Sequence, residues 1–393
     1  MLTLEKYLNN KPLFYNEIDY TRMPRVYKSI SEVITLPKII HLVGTNGKGT
    51  TGRFLASALH SLSFNTGHYT SPHILTFNER IWLNGEISSD TLLEAAHGKL
   101  QNLLSSKDAD SSSYFEYTTL LAMLVFQECD YIVLEAGLGG EYDATNVFDK
   151  VLSLFTPIDF DHESFLGSDI ESIATTKFNS MLNVSNVNYQ AILGHQHHQV
   201  VNEIFDKIAE SNTIKVGTLE SWITAEDRNN IIMIKEMLHL PEYMCDNLEL
   251  AISALHALGV AYSISNFKDS RFFGRLMPLK KNILLDVGHN VLAAQAIVKE
   301  LNEKYILVYN ALADKNYHDI LKTLAPKVDS VQIITIENQR CVEKELLIQS
   351  CADVNLNCSD FTTLDESKNY LIFGSFSVVE SFLIQQKNSC SDD

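Results

Sequence analysis

Residues 38–51 read Lys38-Ile39-Ile40-His41-Leu42-Val43-Gly44-Thr45-Asn46-Gly47-Lys48-Gly49-Thr50-Thr51, and this stretch decides the fold. An apolar run typical of a β-strand ends in a glycine-rich turn with one lysine and two closing threonines, and residues 53–59 are typical of a helix. Glycines let backbone N–H groups approach an anion closely, while a lysine and a helix N-terminus add positive charge. The order of strand, turn and helix therefore predicts a phosphate-binding loop, in which Thr50 or Thr51 can hold Mg²⁺.

The stretch departs from the strict phosphate-loop pattern G-x-x-x-x-G-K-[ST]. Only two residues separate Gly44 from Gly47, and Gly49 lies between Lys48 and Thr50. From these residues alone, an ordinary glycine-rich turn between a strand and a helix is the alternative. The phosphate-binding interpretation therefore needs support from other parts of the chain.

Length and composition indicate a globular protein of two or three domains. The chain has 393 residues, of which 45% are hydrophobic and 20% charged. It has no uninterrupted apolar run of the roughly 18 residues that a membrane-spanning helix needs. The first residues lack the basic and then apolar pattern of a secretory signal, so we expect a cytoplasmic protein.

The charge and the cysteines exclude further classes. The net charge is −18, and no basic run is present that could neutralise a nucleic-acid backbone. The six cysteines are scattered without a C-x-x-C pair, which predicts reduced thiols rather than disulfides or a cysteine metal site. We therefore expect small-molecule partners and no nucleic acid.

Acidic and histidine side chains follow two further predicted strands. Glu135 ends the predicted buried strand that begins at Asp130, and Asp161 and His162 come shortly after the predicted strand 151–155. Ligands gather at the carboxyl ends of parallel strands, where the phosphate loop also emerges. Hard Mg²⁺ takes oxygen ligands, so Glu135 is a predicted metal ligand, with a solvated strand-end glutamate as the alternative.

The loop 69–81 carries three ionisable side chains near Pro72, namely His73, Glu79 and Arg80. Polar loops of this kind often bind substrate, but spacing alone supports a solvated connection equally well.

The segment Gly194-His195-Gln196-His197-His198 is rich in histidine. No cysteine or second histidine cluster lies at a fitting distance, so the sequence favours a strand-to-helix turn with surface histidines over a zinc site.

The last third of the chain alternates strands and helices with short connections. The sequence becomes polar and irregular at residues 264–273. The strands predicted after this point cover 283–285, 305–309, 331–336 and 370–373. Helices are predicted between them at 291–303, 316–325 and 343–350. This pattern predicts a second, smaller and mostly parallel α/β domain.

Several motifs together resemble the folylpolyglutamate synthases and dihydrofolate synthases of the Mur ligase superfamily. The loop GTNGKGTT at 44–51 is similar to that family's own form. The other matching segments, in family order, are SPHILTFNERI at 71–81, FEYTTLLA at 115–122, LEAGLGGEYDATN at 134–146, DFDHESFLG at 159–167, DNLELAISAL at 246–255, FGR at 273–275, DVGHN at 286–290, ADK at 313–315 and GSF at 374–376.

The resemblance implies a fold and a reaction. We expect an N-terminal ATP-binding domain at 1–268, with a P-loop-type parallel sheet and folate-binding loops, and a smaller Rossmann-like domain at 269–393, with the active site in the cleft between them. ATP would phosphorylate the carboxylate of a pteroate or folate, and the amino group of L-glutamate would then attack the acyl phosphate. The expected cofactors are ATP and two Mg²⁺ ions, in a monomeric enzyme.

The resemblance also implies roles for individual residues. Catalytic roles fall on Lys48, His162, Lys177 and His289, and Lys177 lies where the family often carries a carbamylated lysine. Metal ligands would be Thr50, Glu135 and His162. ATP would contact Gly44, Thr45, Asn46, Gly47, Lys48, Gly49, Thr50, Thr51, Asn247, Arg275 and Asp286, and the folate side would be lined by Ser71, Pro72, His73 and Arg80.

The chain departs from the family pattern at three places. The family commonly reads Glu-Lys-Ala-Gly where this chain has Thr176-Lys177-Phe178-Asn179, and D-G-A-H-N-P where it has DVGHNV at 286–291. The ADK motif is followed by Asn316. Lys177, Asp286 and His289 are all kept, so we expect the activity to survive.

Three other functions compete with the bifunctional synthase. These are polyglutamylation of folates only, a peptidoglycan-precursor ligase, and a nucleotide-binding switch protein. The segment 15–25 is a candidate part of a dihydropteroate site, which would favour the bifunctional enzyme.

Overall fold

The structure is a computed structural model that describes residues 2–11 and 19–389. The chain divides into two compact units, one formed by Met1–Leu240 and Met244–Arg271, the other by Pro241–Tyr243 and Phe272–Asp393. Residues 15–18 of the candidate dihydropteroate segment lie outside the described residues. Each unit is built around its own sheet.

The first unit contains an eight-stranded sheet with the order β4-β3-β2-β5-β1-β6-β7-β8. Its strands are β1 (Lys38–Val43), β2 (Thr66–Tyr69), β3 (Ile81–Leu83), β4 (Glu86–Ile87), β5 (Tyr131–Glu135), β6 (Leu152–Phe155), β7 (Gln190–Leu193) and β8 (Lys215–Thr218). The neighbouring strands along β2-β5-β1-β6-β7-β8 pair in parallel. Strands β3 and β4 pair antiparallel at the edge next to β2.

The helices of this unit cover the sheet and connect its strands. They are α1 (Leu4–Asn9), α2 (Arg22–Ile30), α3 (Lys48–Ser61), α4 (Asp90–Leu103), α5 (Ser106–Ser111), α6 (Tyr114–Val125), α7 (Glu163–Leu166), α8 (Ile170–Phe178), α9 (Gln199–Ser211), α10 (Leu219–Trp222), α11 (Ala225–Leu238) and α12 (Tyr243–Ala257).

Strand β1 lies at the centre of the sheet and positions the site. Five of its six residues are buried, as expected for a strand covered by helices on both faces. It pairs with β5 on one side and β6 on the other, although the chain itself runs from β1 through α3 to β2. A crevice at such a reversal of strand order is where open α/β sheets bind ligands.

Helix α3 begins five residues earlier than the helical pattern at 53–59 suggests. Gly47 adopts the left-handed conformation and is the N-cap, so the helix starts at Lys48. The second half of the phosphate loop is therefore the first turn of α3. Helix propensity does not predict this first turn, because Gly49 lies in it, Gly52 follows it directly, and glycine is a poor helix former.

The second unit contains a six-stranded sheet with the order β13-β12-β11-β14-β10-β9, parallel except for β9. Its strands are β9 (Met277–Lys280), β10 (Ile283–Leu285), β11 (Tyr305–Tyr309), β12 (Val328–Ile333), β13 (Asn357–Asp360) and β14 (Tyr370–Phe373). Its helices are α13 (Val291–Glu300), α14 (Tyr317–Leu324), α15 (Lys344–Asp353) and α16 (Phe376–Ser389).

These two sheets confirm the predicted α/β class. The predicted strands 283–285, 305–309 and 370–373 have the observed bounds, whereas the strand predicted at 331–336 begins and ends three residues earlier. Within the described ranges, no helix is both long and apolar enough to cross a membrane.

Candidate active site

The loop between β1 and α3 is anchored to the segment that follows β6. The backbone N–H groups of Thr45 and Asn46 donate to the Pro157 carbonyl oxygen at 2.9 and 3.3 Å. A Cβ atom at Gly44 would lie 2.0 Å from Thr156 Oγ1, so only glycine fits this close approach. The loop conformation is therefore set by its neighbour strand.

Helix α12 supports the other side of the loop. Thr51 Oγ1 donates to Asn247 Oδ1 at 3.2 Å, and a Cβ atom at Gly47 would lie 2.1 Å from the same oxygen. The Thr51 hydroxyl thus has a structural partner. Thr50, in the first turn of α3, is the better candidate for a metal ligand of these two threonines.

Lys48 and Glu135 face each other at the carboxyl ends of β1 and β5. Lys48 Nζ donates to the carbonyl oxygens of Gly44 and Thr45 at 3.0 and 3.3 Å, and lies 4.0 Å from Glu135 Oε1. The other carboxylate oxygen of Glu135 accepts a hydrogen bond from Thr70 Oγ1. Charge and geometry are thereby fixed before any ligand binds.

Lys177 is buried beside the same loop. Its Nζ donates to the Gly44 carbonyl oxygen at 3.0 Å, and its side chain is only 4% exposed. Burial, together with the nearby positive charge of Lys48, lowers the pKa of Lys177 to about 7. From its residue type alone, Lys177 would be expected to be a solvated lysine on a helix surface. Its burial and its bond to Gly44 distinguish it from such lysines.

His162 lies immediately before α7 in the left-handed conformation, with φ of 54°. Its Nε2 is 3.8 Å from Asp161 Oδ2, and about a third of its side chain is exposed. An accessible imidazole beside a carboxylate can serve a metal ion or a phosphate. The sequence placed both residues at this edge of the sheet.

This donor set fits a hard divalent cation with phosphate. Glu135 offers a carboxylate, Thr50 a hydroxyl and Asp161 a second carboxylate, all oxygen donors of the type that Mg²⁺ prefers. The absence of a side chain at Gly47 leaves space in the loop that a Cβ atom would fill. The first turn of α3 contributes backbone N–H groups that have no acceptor within the helix. The residues present therefore suit Mg²⁺ and ATP phosphates.

The loop 71–80 is internally organised rather than a solvated connection. Arg80 is 8% exposed, and its Nε donates to His73 Nδ1 at 2.8 Å. Burial and the Arg80 charge lower the pKa of His73 to about 4. Glu79 accepts hydrogen bonds from three successive backbone amides, Ile74, Leu75 and Thr76, at 2.7 to 2.9 Å. The loop thus presents a neutral histidine beside a fixed guanidinium.

In the second unit, Asp286 organises the loop that follows β10. Its two carboxylate oxygens accept backbone hydrogen bonds from Leu276 and Gly288 at 2.7 and 2.6 Å. Burial raises the pKa of Asp286, opposed by the charge of Arg275. The Arg275 guanidinium packs between the rings of Phe272 and Phe376, 5.5 and 5.4 Å from their centroids.

His289 lies near the start of α13. Its Nδ1 is 3.2 Å from the Val287 carbonyl oxygen, and Nδ1–H donation there directs Nε2 away from that loop. The next residue, Asn290, caps the helix by accepting from the Ala293 amide at 2.9 Å.

Sequence reasoning missed two supporting residues. Thr70, which holds Glu135, follows β2 directly and precedes the SPH motif, so its strand-end position was a usable signal. Asp143 is buried and accepts from the amides of Leu138 and Thr145 at 2.7 and 2.9 Å, which fixes the glycine-rich segment after β5. Only the fold brings its carboxylate under that segment.

Gly47 gives the first prediction. The Gly47→Ala variant should lose about 1–2 kcal/mol of unfolding free energy, because alanine is strained at φ of 87° and its Cβ meets Asn247. Thermal or chemical unfolding measures the loss. Gly98→Ala is the control: Gly98 lies inside α4 with open space around it, so this variant should gain about 0.5–1 kcal/mol. Equal effects of the two substitutions would contradict the argument.

Comparison with known proteins identifies relatives over nearly the whole chain. Profiles of known protein families give no match. The chain is 28% identical to a dihydrofolate synthase/folylpolyglutamate synthase of Haemophilus influenzae, over 90% of this chain and 91% of that protein. It is 36% identical to the Helicobacter pylori folylpolyglutamate synthetase, whose crystal structure matches with a TM-score of 0.78 over 98% of each chain.

A more distant structure has the same fold. The Yersinia pestis bifunctional folylpolyglutamate synthase/dihydrofolate synthase, complexed with AMPPNP and a manganese ion, is 23% identical with a TM-score of 0.80, over 98% of this chain and 97% of that one. Fold and site define a phosphate-loop α/β protein of the Mur ligase type. The chain belongs to the folylpolyglutamate synthase/dihydrofolate synthase family, which confirms the resemblance seen in its motifs.

Proposed function

We propose that this chain is an ATP-dependent ligase that joins L-glutamate to dihydropteroate and to reduced folates. The observation that carries the proposal is the arrangement at the β1–α3 loop. Lys48 and Lys177 both contact the Gly44 carbonyl, while Glu135 lies 4.0 Å from Lys48. Membership of a family whose relatives are named for this activity supports it.

The chemistry consists of two transfers. A substrate carboxylate oxygen attacks the γ-phosphorus of ATP, ADP leaves, and an acyl phosphate forms. The amino nitrogen of L-glutamate then attacks the acyl carbon, phosphate leaves, and the nitrogen loses a proton to give the amide. Both steps depend on positioning and charge neutralisation rather than on a protein nucleophile.

In this scheme the first unit holds the phosphates. Lys48 and the amide groups of Gly47 and Gly49 would neutralise and orient the ATP phosphates. Thr50 and Glu135 would hold one Mg²⁺, and His162 with carbamylated Lys177 a second. Bound Mg²⁺ supplies charge neutralisation to the phosphoryl group. The Yersinia pestis relative, which is complexed with AMPPNP and a manganese ion, supports an ATP-type nucleotide and a divalent metal ion as the bound groups.

Other residues would recognise the remaining parts of the substrates. The neutral His73 and fixed Arg80, with Ser71 and Pro72, would line the pteroate or folate side. Asn247 in the first unit would contact the nucleotide. In the second unit, Arg275, Asp286 and His289 would do the same, and both oxygens of Asp286 already organise that loop.

We further propose a monomeric, cytoplasmic enzyme with domains at 1–268 and 269–393. The alternation of strands and helices after residue 273 supports the boundary.

The test is phosphate release from ATP and Mg²⁺, measured separately with dihydropteroate and with a reduced folate. We expect release with each substrate, and only when L-glutamate is present. Mass spectrometry of the product should show the added glutamyl residue. Omitting glutamate is the matched control for uncoupled hydrolysis.

The possible outcomes separate the competing functions. Release with folate alone would leave polyglutamylation as the single activity. Glutamate-independent release would favour a hydrolytic switch, and release with neither folate substrate would overturn the proposal.

A further inference from the structure

The histidine-rich turn after β7 gains partners that are distant in sequence. His195 Nε2 lies 2.8 Å from Glu249 Oε2 and 4.0 Å from Asp246 Oδ1. Asp246 and Glu249 are three positions apart on α12, so their side chains project from the same face of the helix. One nitrogen and two carboxylate groups therefore converge from two separate elements of the first unit.

The three groups meet the geometric demand of a metal site. One ligand atom from each lies within 4.8 Å of the other two, and among the described residues this is the one such group of histidine, cysteine and acidic side chains. Zinc binds imidazole nitrogen and carboxylate oxygen at about 2.0–2.2 Å, which separates neighbouring ligand atoms by roughly 3.3 Å in a tetrahedron. The distances of 2.8 and 4.0 Å bracket that separation, so small rotations suffice.

We propose that His195, Asp246 and Glu249 bind a divalent transition-metal ion, with zinc as the best chemical match. Imidazole favours zinc and similar ions over Mg²⁺, which sets this cluster apart from the oxygen donors near Glu135. The inference goes beyond the ligase function and does not depend on it.

Exposure and charge are compatible with such an ion. About half of the His195 and Asp246 side chains is exposed, which leaves room for water as a further ligand, while the Glu249 side chain is 10% exposed and held firmly. Arg228 lies 3.7 Å from the second oxygen of Glu249. The two carboxylates and this guanidinium sum to one negative charge, so the cluster attracts a dication.

A proton is the competitor for the same position. The hydrogen bond to Glu249, aided by the charges of Asp246 and Glu220 and opposed by burial, raises the pKa of His195. Metal binding requires the neutral imidazole, so the ion must displace this proton. A simple histidine–glutamate ion pair is therefore the alternative to the metal site.

The sequence shows no cysteine or second histidine cluster at a fitting distance from His195, but carboxylates also bind zinc. The carboxylate ligands lie more than 50 residues away from His195, on helix α12. The fold alone brings them together.

The test is zinc titration of the full-length, chelator-treated protein by calorimetry, with excess Mg²⁺ and without ATP or folate. The wild-type protein should bind one zinc ion that the variants His195→Asn and Glu249→Gln bind at least about tenfold more weakly. Glutamine keeps the shape of Glu249 and removes only its charge. His197→Asn is the matched control, because His197 is an exposed histidine of the same turn outside the cluster.

A crystal grown with zinc locates the ion by its anomalous scattering. We expect a peak about 2.1 Å from His195 Nε2. Wild-type affinity in both cluster variants, or a peak only at cysteine sulfur, would overturn the proposal. Zinc should also raise the thermal unfolding temperature of the wild type and of His197→Asn but not of His195→Asn, provided that all three fold alike without metal.

Discussion

The Lys48→Ala variant should lose turnover by about 10³-fold, equivalent to about 4 kcal/mol of transition-state stabilisation. Lys48 Nζ donates to two loop carbonyls and lies 4.0 Å from Glu135, so it is fixed where the proposed scheme requires phosphate charge to be neutralised. Alanine leaves that charge to be solvated by water, which must reorganise during the reaction. Steady-state phosphate release measures the loss.

Folding must be shown to survive the substitution. Lys48 is at the first turn of α3, where alanine is a good helix former, so the circular dichroism and melting temperature should stay close to the wild type. Lys99→Ala is the control, since Lys99 is an exposed lysine of α4 whose Nζ donates to Gln127 Oε1, away from the β1–α3 loop. Near-normal turnover in Lys48→Ala would refute its assigned role.

The Lys177→Ala variant should lose turnover by about 10²–10³-fold and recover part of it with acetate or formate. With a pKa of about 7, about half of the Lys177 side chains are neutral at pH 7, against roughly one in three thousand for an ordinary lysine. In the proposed scheme, the neutral nitrogen would attack CO₂, form an N–C bond and lose a proton. The resulting carbamate would offer oxygen ligands to a hard cation, and a small carboxylate can occupy the space that alanine leaves.

Carbon-13 NMR with labelled bicarbonate tests the modification itself. A carbamate resonance should be present in the wild type, grow between pH 6 and pH 8 as the amine loses its proton, and vanish in Lys177→Ala. Lys150→Met is the matched control, because Lys150 is also buried with a pKa lowered to about 7, yet it is bonded to Asn146 and Ser180. Loss of the resonance in the control alone, or no acetate rescue, would refute the role of Lys177.

The sequence predicts this fold well where residues act locally. The largely apolar run 38–43, followed by glycines, predicted the central strand and the loop after it. Asp161 and His162 were predicted to follow the end of a strand, because the apolar pattern shows where that strand ends. The sequence did not predict the short edge strand β13. This strand reads Asn357-Cys358-Ser359-Asp360 and is largely exposed, so its residues lack the apolar pattern of a buried strand. An edge strand needs a neighbour's backbone more than its own side chains.

The sequence also did not predict properties that depend on partners distant along the chain. Nothing in the local sequence around Lys177 shows that it is buried against Gly44, which is 133 residues away. The same holds for His195 and Glu249, which are 54 residues apart. Family resemblance supplied the position of Lys177, but its lowered pKa follows from burial, which only the fold shows.

The carbonyl oxygen of Gly44 accepts from Lys48 Nζ and from Lys177 Nζ, each at 3.0 Å. Two ammonium groups that share one acceptor repel each other, and the charge of Lys48 is among the causes that lower the basicity of Lys177. If Lys48 binds the nucleotide and Lys177 is carbamylated, as proposed, the charge of Lys48 would favour the neutral form of Lys177 that reacts with CO₂ before any nucleotide binds. Removing Lys48 should therefore cost the enzyme twice, once at the phosphates and once through a more basic Lys177 that captures less CO₂.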